Sequence, residues 1–340
     1  MLLDVRDLHT AFSTEDGMVH AVNGVSFSLE RGKVLGIVGE SGSGKSVTCL
    51  TLLGLTPRRR VQTAGQAIFN GRDLLRMSTP DLRAIRGREI AMIFQDPLTS
   101  LNPVLTVGVQ MLEMIQLHRA ISTHEALAQI RQMISAVGIS DPESIVKRYP
   151  FELSGGMRQR IMIAMALSNN PDLLIADEPT TALDVTTQAQ ILDLIRRLRT
   201  KFNSAIILIT HDLGVVAEVC DSVLVMYAGS IVEQGSVDSI FDAPSHPYTW
   251  GLLGSLPSAG RGRGKLRMIP GSPPSLLRLS PGCPFQPRCA YAMPACSETT
   301  PVLEPVDPTP GHAAACYLSL EQRRSEAAKL AGADRAGDAR

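Results

Sequence analysis

Hydrophobic and polar positions divide the chain into stretches of different period. Residues 2–38 read as strands: Val19–Leu29 alternates roughly by twos, and Val34–Val38 is a short apolar run ending in glycine. Thr48–Leu55 has helical spacing. From Asp73 to Ser140 the pattern is mostly helical, with apolar positions three and four apart in Val107–Leu117 and Ala126–Val137. One short strand, Ile90–Phe94, interrupts it. From Leu173 the predicted order is strand, helix (Thr186–Lys201), strand (Ala205–Ile209), helix (Leu213–Cys220) and strand (Ser222–Tyr227). Strands alternating with helices predict an α/β fold with a parallel sheet covered on both faces.

The pattern breaks near residue 257. Eleven of the 22 prolines fall in Pro270–Pro310, a density no long helix or central strand survives. Arg261-Gly-Arg-Gly-Lys before it reads as an exposed linker, and Glu321–Arg340 as a fraying tail or weak helix. With 340 residues, the expectation is about two domains, or one large one with an appendage. We place a main domain at 1–257, an irregular extension at 258–320 and a flexible tail at 321–340.

Composition narrows the function classes. Hydrophobic residues are 44% and charged residues 19%, enough for a buried core. Lys+Arg and Asp+Glu are both 33, so bulk basicity cannot drive polyanion binding. Aromatics are 4% with one Trp, which leaves no stacking platform and argues against a nucleic-acid partner. No apolar run approaches the ~18 residues of a membrane span. The N-terminus carries acids early and lacks a signal layout. The expectation is a cytoplasmic chain that meets a membrane only through partners.

Gly39-Glu-Ser-Gly-Ser-Gly-Lys45-Ser46 matches G-x-x-x-x-G-K-[ST]. It follows the strand Val34–Val38 and opens a helix, the context this phosphate-binding motif requires. Its glycines let backbone N–H groups turn inward around phosphate oxygens, and the helix N-terminus adds positive potential. Lys45 is expected to reach the β- and γ-phosphates and Ser46 to ligate Mg²⁺. Leu173-Leu-Ile-Ala-Asp177-Glu178 is an apolar strand ending in two acids. Asp177 is the expected Mg²⁺ ligand, and Glu178 the general base or water-positioning group.

Between these motifs lies Leu153-Ser-Gly-Gly-Met-Arg-Gln159, which resembles the signature of ATP-binding cassette (ABC) ATPases. The other motifs of that family stand in order: Gln95 in Ile93-Phe-Gln-Asp, Ala182-Leu-Asp184, and His211 in Ile209-Thr-His-Asp. The resemblance implies a P-loop fold with a mostly parallel core sheet, an antiparallel β subdomain and a helical subdomain at about 96–165. It implies catalytic Glu178, His211 and Gln95, Mg²⁺ held by Ser46, Gln95 and Asp177, and nucleotide contacts from Phe12, Gly39, Ser41, Gly42, Gly44, Lys45, Ser46, Val47, Ser154, Gly155, Gly156 and Asp184. In this family two cassettes face head to tail with ATP between the loop of one and the signature of the other. Pro97–Pro103 would carry the groove for membrane subunits, which must be separate polypeptides here. Two rival readings are weaker. DNA-repair or translation cassettes join two cassettes or insert coiled coils, and a module without turnover would lack Glu178 or His211.

His246-Pro-Tyr-Thr249 and Gly282-Cys-Pro-Phe-Gln-Pro-Arg-Cys289 extend the resemblance to the dipeptide/oligopeptide importer ATPases, over residues 2–318. This implies ATP hydrolysis that drives peptide uptake at the cytoplasmic face of the inner membrane. The implied partners are a second and different ATPase subunit, two permeases and, through them, a substrate-binding protein. Cys283, Cys289, Cys296 and Cys316 cluster in the extension. Their spacing fits neither the usual zinc pairs nor ferredoxin runs, and 4Fe–4S, Zn²⁺, free thiols and disulfides all stay open on spacing alone. The family resemblance favours a 4Fe–4S cluster.

Overall fold

The computed structural model describes residues 1–57, 59–96, 100–181, 183–255, 268–277, 279, 281–306 and 310–335. In chain order the strands are β1 (Leu3–Thr14), β2 (Gly17–Leu29), β3 (Val34–Val38), β4 (Val61–Phe69), β5 (Arg72–Asp73), β6 (Ile90–Ile93), β7 (Leu173–Asp177), β8 (Ala205–Ile209), β9 (Ser222–Tyr227), β10 (Ser230–Ser236), β11 (Glu304–Pro305) and β12 (Ala313–Ala314). The chain divides into two compact units, one of residues 1–2, 29–34 and 76–209 and the other of 3–28, 35–75 and 210–340. Pro97–Thr99, Ala182 and the Arg261–Lys265 linker lie outside the described residues.

The second unit holds an antiparallel sheet of order β2-β1-β4-β5. The alternation read in Val19–Leu29 is seen in β2, where Val25 and Phe27 are buried between exposed Gly24, Ser26 and Ser28, and β1 buries Leu3, Val5, Leu8 and Thr10. The pairing from Leu3↔Phe69 to Phe12↔Val61 is interrupted by a bulge between Arg6 and His9. The partner β4 is absent from the elements predicted above. Its first residues are exposed and polar, and only Ala67 and Phe69 are fully buried, so it carries no apolar period of its own. The same unit pairs β3 parallel to β9, in register Ile37↔Leu224, and extends antiparallel through β10, β12 and β11. The last two are only two residues long, in keeping with the proline density, and β11 forms the edge.

A buried charge pins the extension to this sheet. Glu233 of β10 is fully buried and accepts from the Ser245 N–H (2.6 Å), the His246 N–H (3.0 Å) and His312 Nε2 (2.8 Å). The apolar core here joins Val223, Val225 and Tyr227 of β9 to Leu213 and Val216, and to Tyr248, Cys283 and Phe285 from the C-terminal part. Beyond it the chain forms a helix at Leu320–Arg335, in the stretch read as a fraying tail or weak helix. Arg323 anchors its start, buried and hydrogen-bonded to the Leu318 and Cys316 carbonyls.

The first unit has the parallel strands β6, β7 and β8, in registers Ile90↔Leu173 and Leu173↔Ala205. Every residue of β7 and β8 is buried, as strands covered on both faces require. Helices Val107–His118 and Thr123–Ala136 match the predicted periodic stretches. A capping box of Ser122 and Glu125 sets the start of the second. Helices Gly155–Leu167 and Val185–Phe202 complete the unit's long helices.

Candidate active site

In the second unit β3 ends at Val38 and the chain turns through residues 39–44 into helix Lys45–Leu52. Sterics demand glycine at two points. Gly39 has φ 150°, and a Cβ there would stand 2.2 Å from the Met226 carbonyl oxygen. Gly44 has φ 99°, and its Cβ would meet the Ala21 carbonyl oxygen at 2.4 Å. Gly44 is also the helix N-cap. No side chain caps this end, so its partial positive charge faces whatever anion the loop receives. Lys45 is buried, and its Nζ donates to the carbonyls of Gly39 (2.7 Å) and Glu40 (2.8 Å). Ser41 and Gly42 are exposed, and Ser46 and Val47 are half-buried on the first turn.

His211 is exposed between two fixed neighbours. The Thr210 N–H donates to the Ile37 carbonyl (3.2 Å), and Asp212 caps helix Leu213–Val219 by accepting from the Gly214 N–H (2.8 Å). Phe12 is half-buried on β1, opposite Val61.

In the first unit Asp177 is the buried last residue of β7. Glu178 then leaves the strand in the left-handed region, at φ 47°, a conformation a non-glycine residue keeps only where its surroundings enforce it. Here the Glu178 N–H donates to the Ile209 carbonyl (2.9 Å). Its Oε2 accepts from Gln95 Nε2 (3.0 Å) and Thr181 Oγ1 (2.8 Å). Gln95, predicted from one motif, is thus brought to the strand end that carries Asp177 and Glu178 of another.

Ser154 N-caps helix Gly155–Leu167, its Oγ accepting from the Met157 N–H (3.3 Å). Ser154 and Gly155 are exposed, and Gly155 has open space around it. A Cβ on Gly156 would come 2.9 Å from Thr187 Cγ2. Asp184 caps helix Val185–Phe202. It accepts from the Thr187 N–H (2.9 Å) and Thr187 Oγ1 (2.7 Å), which hold its carboxyl below the usual range. This capping role is additional to the nucleotide role expected of it.

The four C-terminal cysteines are unbridged and line one small cavity with His246, Phe285, Met293 and Leu318. Burial pushes the Cys289 thiol up to about 11 and raises Cys283 and Cys316 too, and the neighbouring cysteines add to each shift. Four thiols on one cavity are the right donor chemistry for a metal centre. Their spacing is not: among the described residues no group of three or more His, Cys, Asp or Glu is arranged to hold a metal ion. The structure therefore supplies thiol donors for the expected iron–sulfur cluster but no assembled ligand set among the described residues.

Several residues at these sites have no role in a motif. Ser43 is buried in the phosphate loop with its hydroxyl lacking a hydrogen-bond partner. Glu40 occupies a variable position of the motif, and its N–H donates to Tyr248 Oη (2.8 Å). Their motifs give Glu40 and Tyr248 no role, because each is the other's tertiary partner, and Ser43 stands at a variable position of the loop.

A glycine loop opening a helix, an apolar strand ending in two acids and a capped Ser-Gly-Gly turn define a P-loop ATPase of the ABC transporter class. The ABC transporter family profile matches residues 22–181, and that of the oligopeptide/dipeptide transporter C-terminal region matches residues 232–296. The chain is 54% identical to a probable peptide ABC transporter ATP-binding protein, y4tR, of Sinorhizobium fredii, over 94% of this chain and 96% of that protein. It is 52% identical to the oligopeptide transport ATP-binding protein OppD of Escherichia coli K12, over 94% of each. In fold it is similar to the ATP-binding cassette MJ0796, solved as a dimer with ADP and phosphate (TM-score 0.63, 24% identity, 69% of this chain and 99% of that one). The chain belongs to the ATP-binding proteins of the oligopeptide/dipeptide ABC transporters.

Proposed function

We propose that this chain is the ATP-hydrolysing motor subunit of a di-/oligopeptide importer, working through separate membrane permease subunits. The observation that carries the reading is the phosphate loop, whose Gly39 and Gly44 admit no side chain and whose Lys45 is already seated over it. Family membership supports the ATPase reaction, the permease partners and a peripheral place at the cytoplasmic face of the inner membrane. Among the described residues no helix is long and apolar enough to cross a membrane. Exposed Phe94, Val104 and Phe151 in the first unit are apolar side chains available to partners.

The residues divide the work by chemistry. Loop N–H groups and Lys45 bind the β- and γ-phosphates, and the orphan Ser43 hydroxyl is a further donor for them. Ser46, Gln95 and Asp177 are hard oxygen donors of the kind Mg²⁺ takes, and bound Mg²⁺ neutralises phosphate charge. Glu178, oriented by Gln95 and Thr181, accepts a proton from the attacking water. His211 senses the γ-phosphate and Phe12 stacks on the adenine. Ser154, Gly155 and Gly156 of one subunit cover the ATP bound at the loop of another, with Asp184 signalling across, so ATP closes the pair and hydrolysis opens it. The second subunit is a different ATPase chain, and a substrate-binding protein delivers peptide to the permeases.

ATP-dependent dimerisation with Glu178→Gln tests this. We expect ATP binding and a trapped dimer without turnover; undiminished phosphate release would remove Glu178 as the base. For the cysteines we propose a 4Fe–4S cluster, supported by the convergence of four thiols on one cavity. Anaerobically purified protein is then brown, absorbs near ~400 nm and contains iron and acid-labile sulfide. A colourless protein with stoichiometric zinc would end that assignment.

A further inference from the structure

The cysteine-bearing extension grips the phosphate loop. Arg288 lies in the one-turn helix Gln286–Arg288, between Cys283 and Cys289. Its Nη1 and Nη2 donate to Glu40 Oε2 (2.5 Å) and Oε1 (2.9 Å), a two-pronged pair between residues 248 positions apart. The arginine side chain is only 5% exposed, against 27% for the glutamate. Two further donors are used as well: Nε donates to the Pro270 carbonyl (2.8 Å), and Nη1 also reaches Tyr227 Oη (3.3 Å). The guanidinium lies near the rings of Tyr227 and Phe285. Glu40 is held a second time on its main chain, where its N–H donates to Tyr248 Oη, and its carbonyl accepts from Lys45.

Glu40 is an odd residue to find there. It follows the first glycine of a loop built to receive polyphosphate, and its carboxylate repels that ligand unless a cation cancels it. No residue of the loop motif performs this cancellation, because Lys45 is engaged with main-chain carbonyls and serves the ligand itself. Arg288 is the buried counter-charge, and its planar fork fixes the direction of the glutamate as well as its charge.

We propose that Arg288 is a positioning and charge-compensating residue for the phosphate loop, through which the cysteine-rich turn sets nucleotide affinity. The proposal rests on the nucleotide-binding reading of that loop. It makes a prediction of sign that a plain structural brace does not. A brace weakens nucleotide binding when either partner is lost. Charge compensation makes the two losses opposite: removing the arginine strips the shield from Glu40, while removing the glutamate charge leaves extra positive potential beside the phosphates.

The test is ADP binding to the purified full-length chain by isothermal titration, for wild type, Arg288→Gln, Arg288→Lys, Glu40→Gln and the double variant Glu40→Gln/Arg288→Gln. We expect Arg288→Gln to weaken ADP about tenfold, Arg288→Lys to lie between it and wild type, and Glu40→Gln to bind at least as tightly as wild type. The double variant should return to within about twofold of wild type. Equal affinity of Arg288→Gln and wild type, or a double variant as weak as Arg288→Gln, overturns the proposal. If Arg288→Gln does not fold, Arg288→Lys and the double variant carry the same comparison. Wild-type protein that fails to bind ADP would instead overturn the reading of the loop on which the proposal rests.

Discussion

The loop at residues 39–44 is confined by main chain. Carbonyl oxygens of Met226 and Ala21 stand where side chains on Gly39 and Gly44 would go, and Lys45 is tied to two loop carbonyls. The four C-terminal cysteines are held by a few side-chain contacts and short turns. The thiols of Cys283, Cys289 and Cys316 are raised by burial and by neighbouring cysteines, and the four form no ready ligand set among the described residues. The first site is preorganised for its ligand, because a backbone cage follows from strand, turn and helix geometry. In the second, burial and neighbouring sulfurs disfavour the thiolate form that metal ligation needs, so packing alone does not build a ligand set. A folded chain can therefore display one motif as finished geometry and another only as a convergence.

Four measurements would break or sharpen this contrast. The largest effect is expected from Glu178→Gln, which should lower steady-state ATP hydrolysis about a thousandfold while ATP binding persists; comparable turnover would detach the strand end from catalysis. Glu233→Ala removes a fully buried carboxylate that satisfies three donors. Its loss should destabilise the second unit by about 3 kcal/mol or more in chemical denaturation, because it strands buried polar groups.

A smaller, graded effect is expected from pH. Burial, with the Arg323 charge adding to it, depresses His246 to about 3, while its Nδ1 accepts from the Tyr248 N–H. The unfolded chain binds a proton near its ordinary value of 6.5 that the folded chain refuses. Stability is therefore full above that value and falls as pH drops below it, by up to about 1.4 kcal/mol per pH unit. Thermal melts between about pH 7 and about pH 5 should show this slope, and His246→Gln should abolish it. The smallest change is expected from Ser154→Ala, which removes one helix cap and should cost about 1 kcal/mol in denaturant unfolding. A much larger loss there would mean the exposed serine holds more than its helix.

Much of the architecture could be read from residue order. Strands β3, β7, β8 and β9, and the helices that follow the first three, are strongly patterned, and the structure places them within a few residues of prediction. The strand β4 could not be read, since its exposed half has no period and only pairing with β1 makes it a strand. Helices Val237–Asp242 and Pro247–Gly254 went unmarked for a similar reason, being shorter than the span over which helical period shows. At the sites, Lys45, Glu178 and Ser154 were legible because their motifs are local. Glu40, Tyr248 and Arg288 were not, since each gains its meaning from a partner far along the chain.

Residue order carried the α/β alternation and the phosphate loop directly, and the class of protein through the resemblance of its motifs to a known family. Each depends on neighbours a few positions apart, and on glycines whose backbone freedom is their own. Only the folded chain decided that Gln95 and Thr181 orient Glu178, that Glu233 pins the extension, and that Arg288 meets Glu40. These are charges and polar groups taken out of water, stable only when a distant segment arrives with the complementary group at hydrogen-bond distance, and spacing along the chain does not encode that arrival.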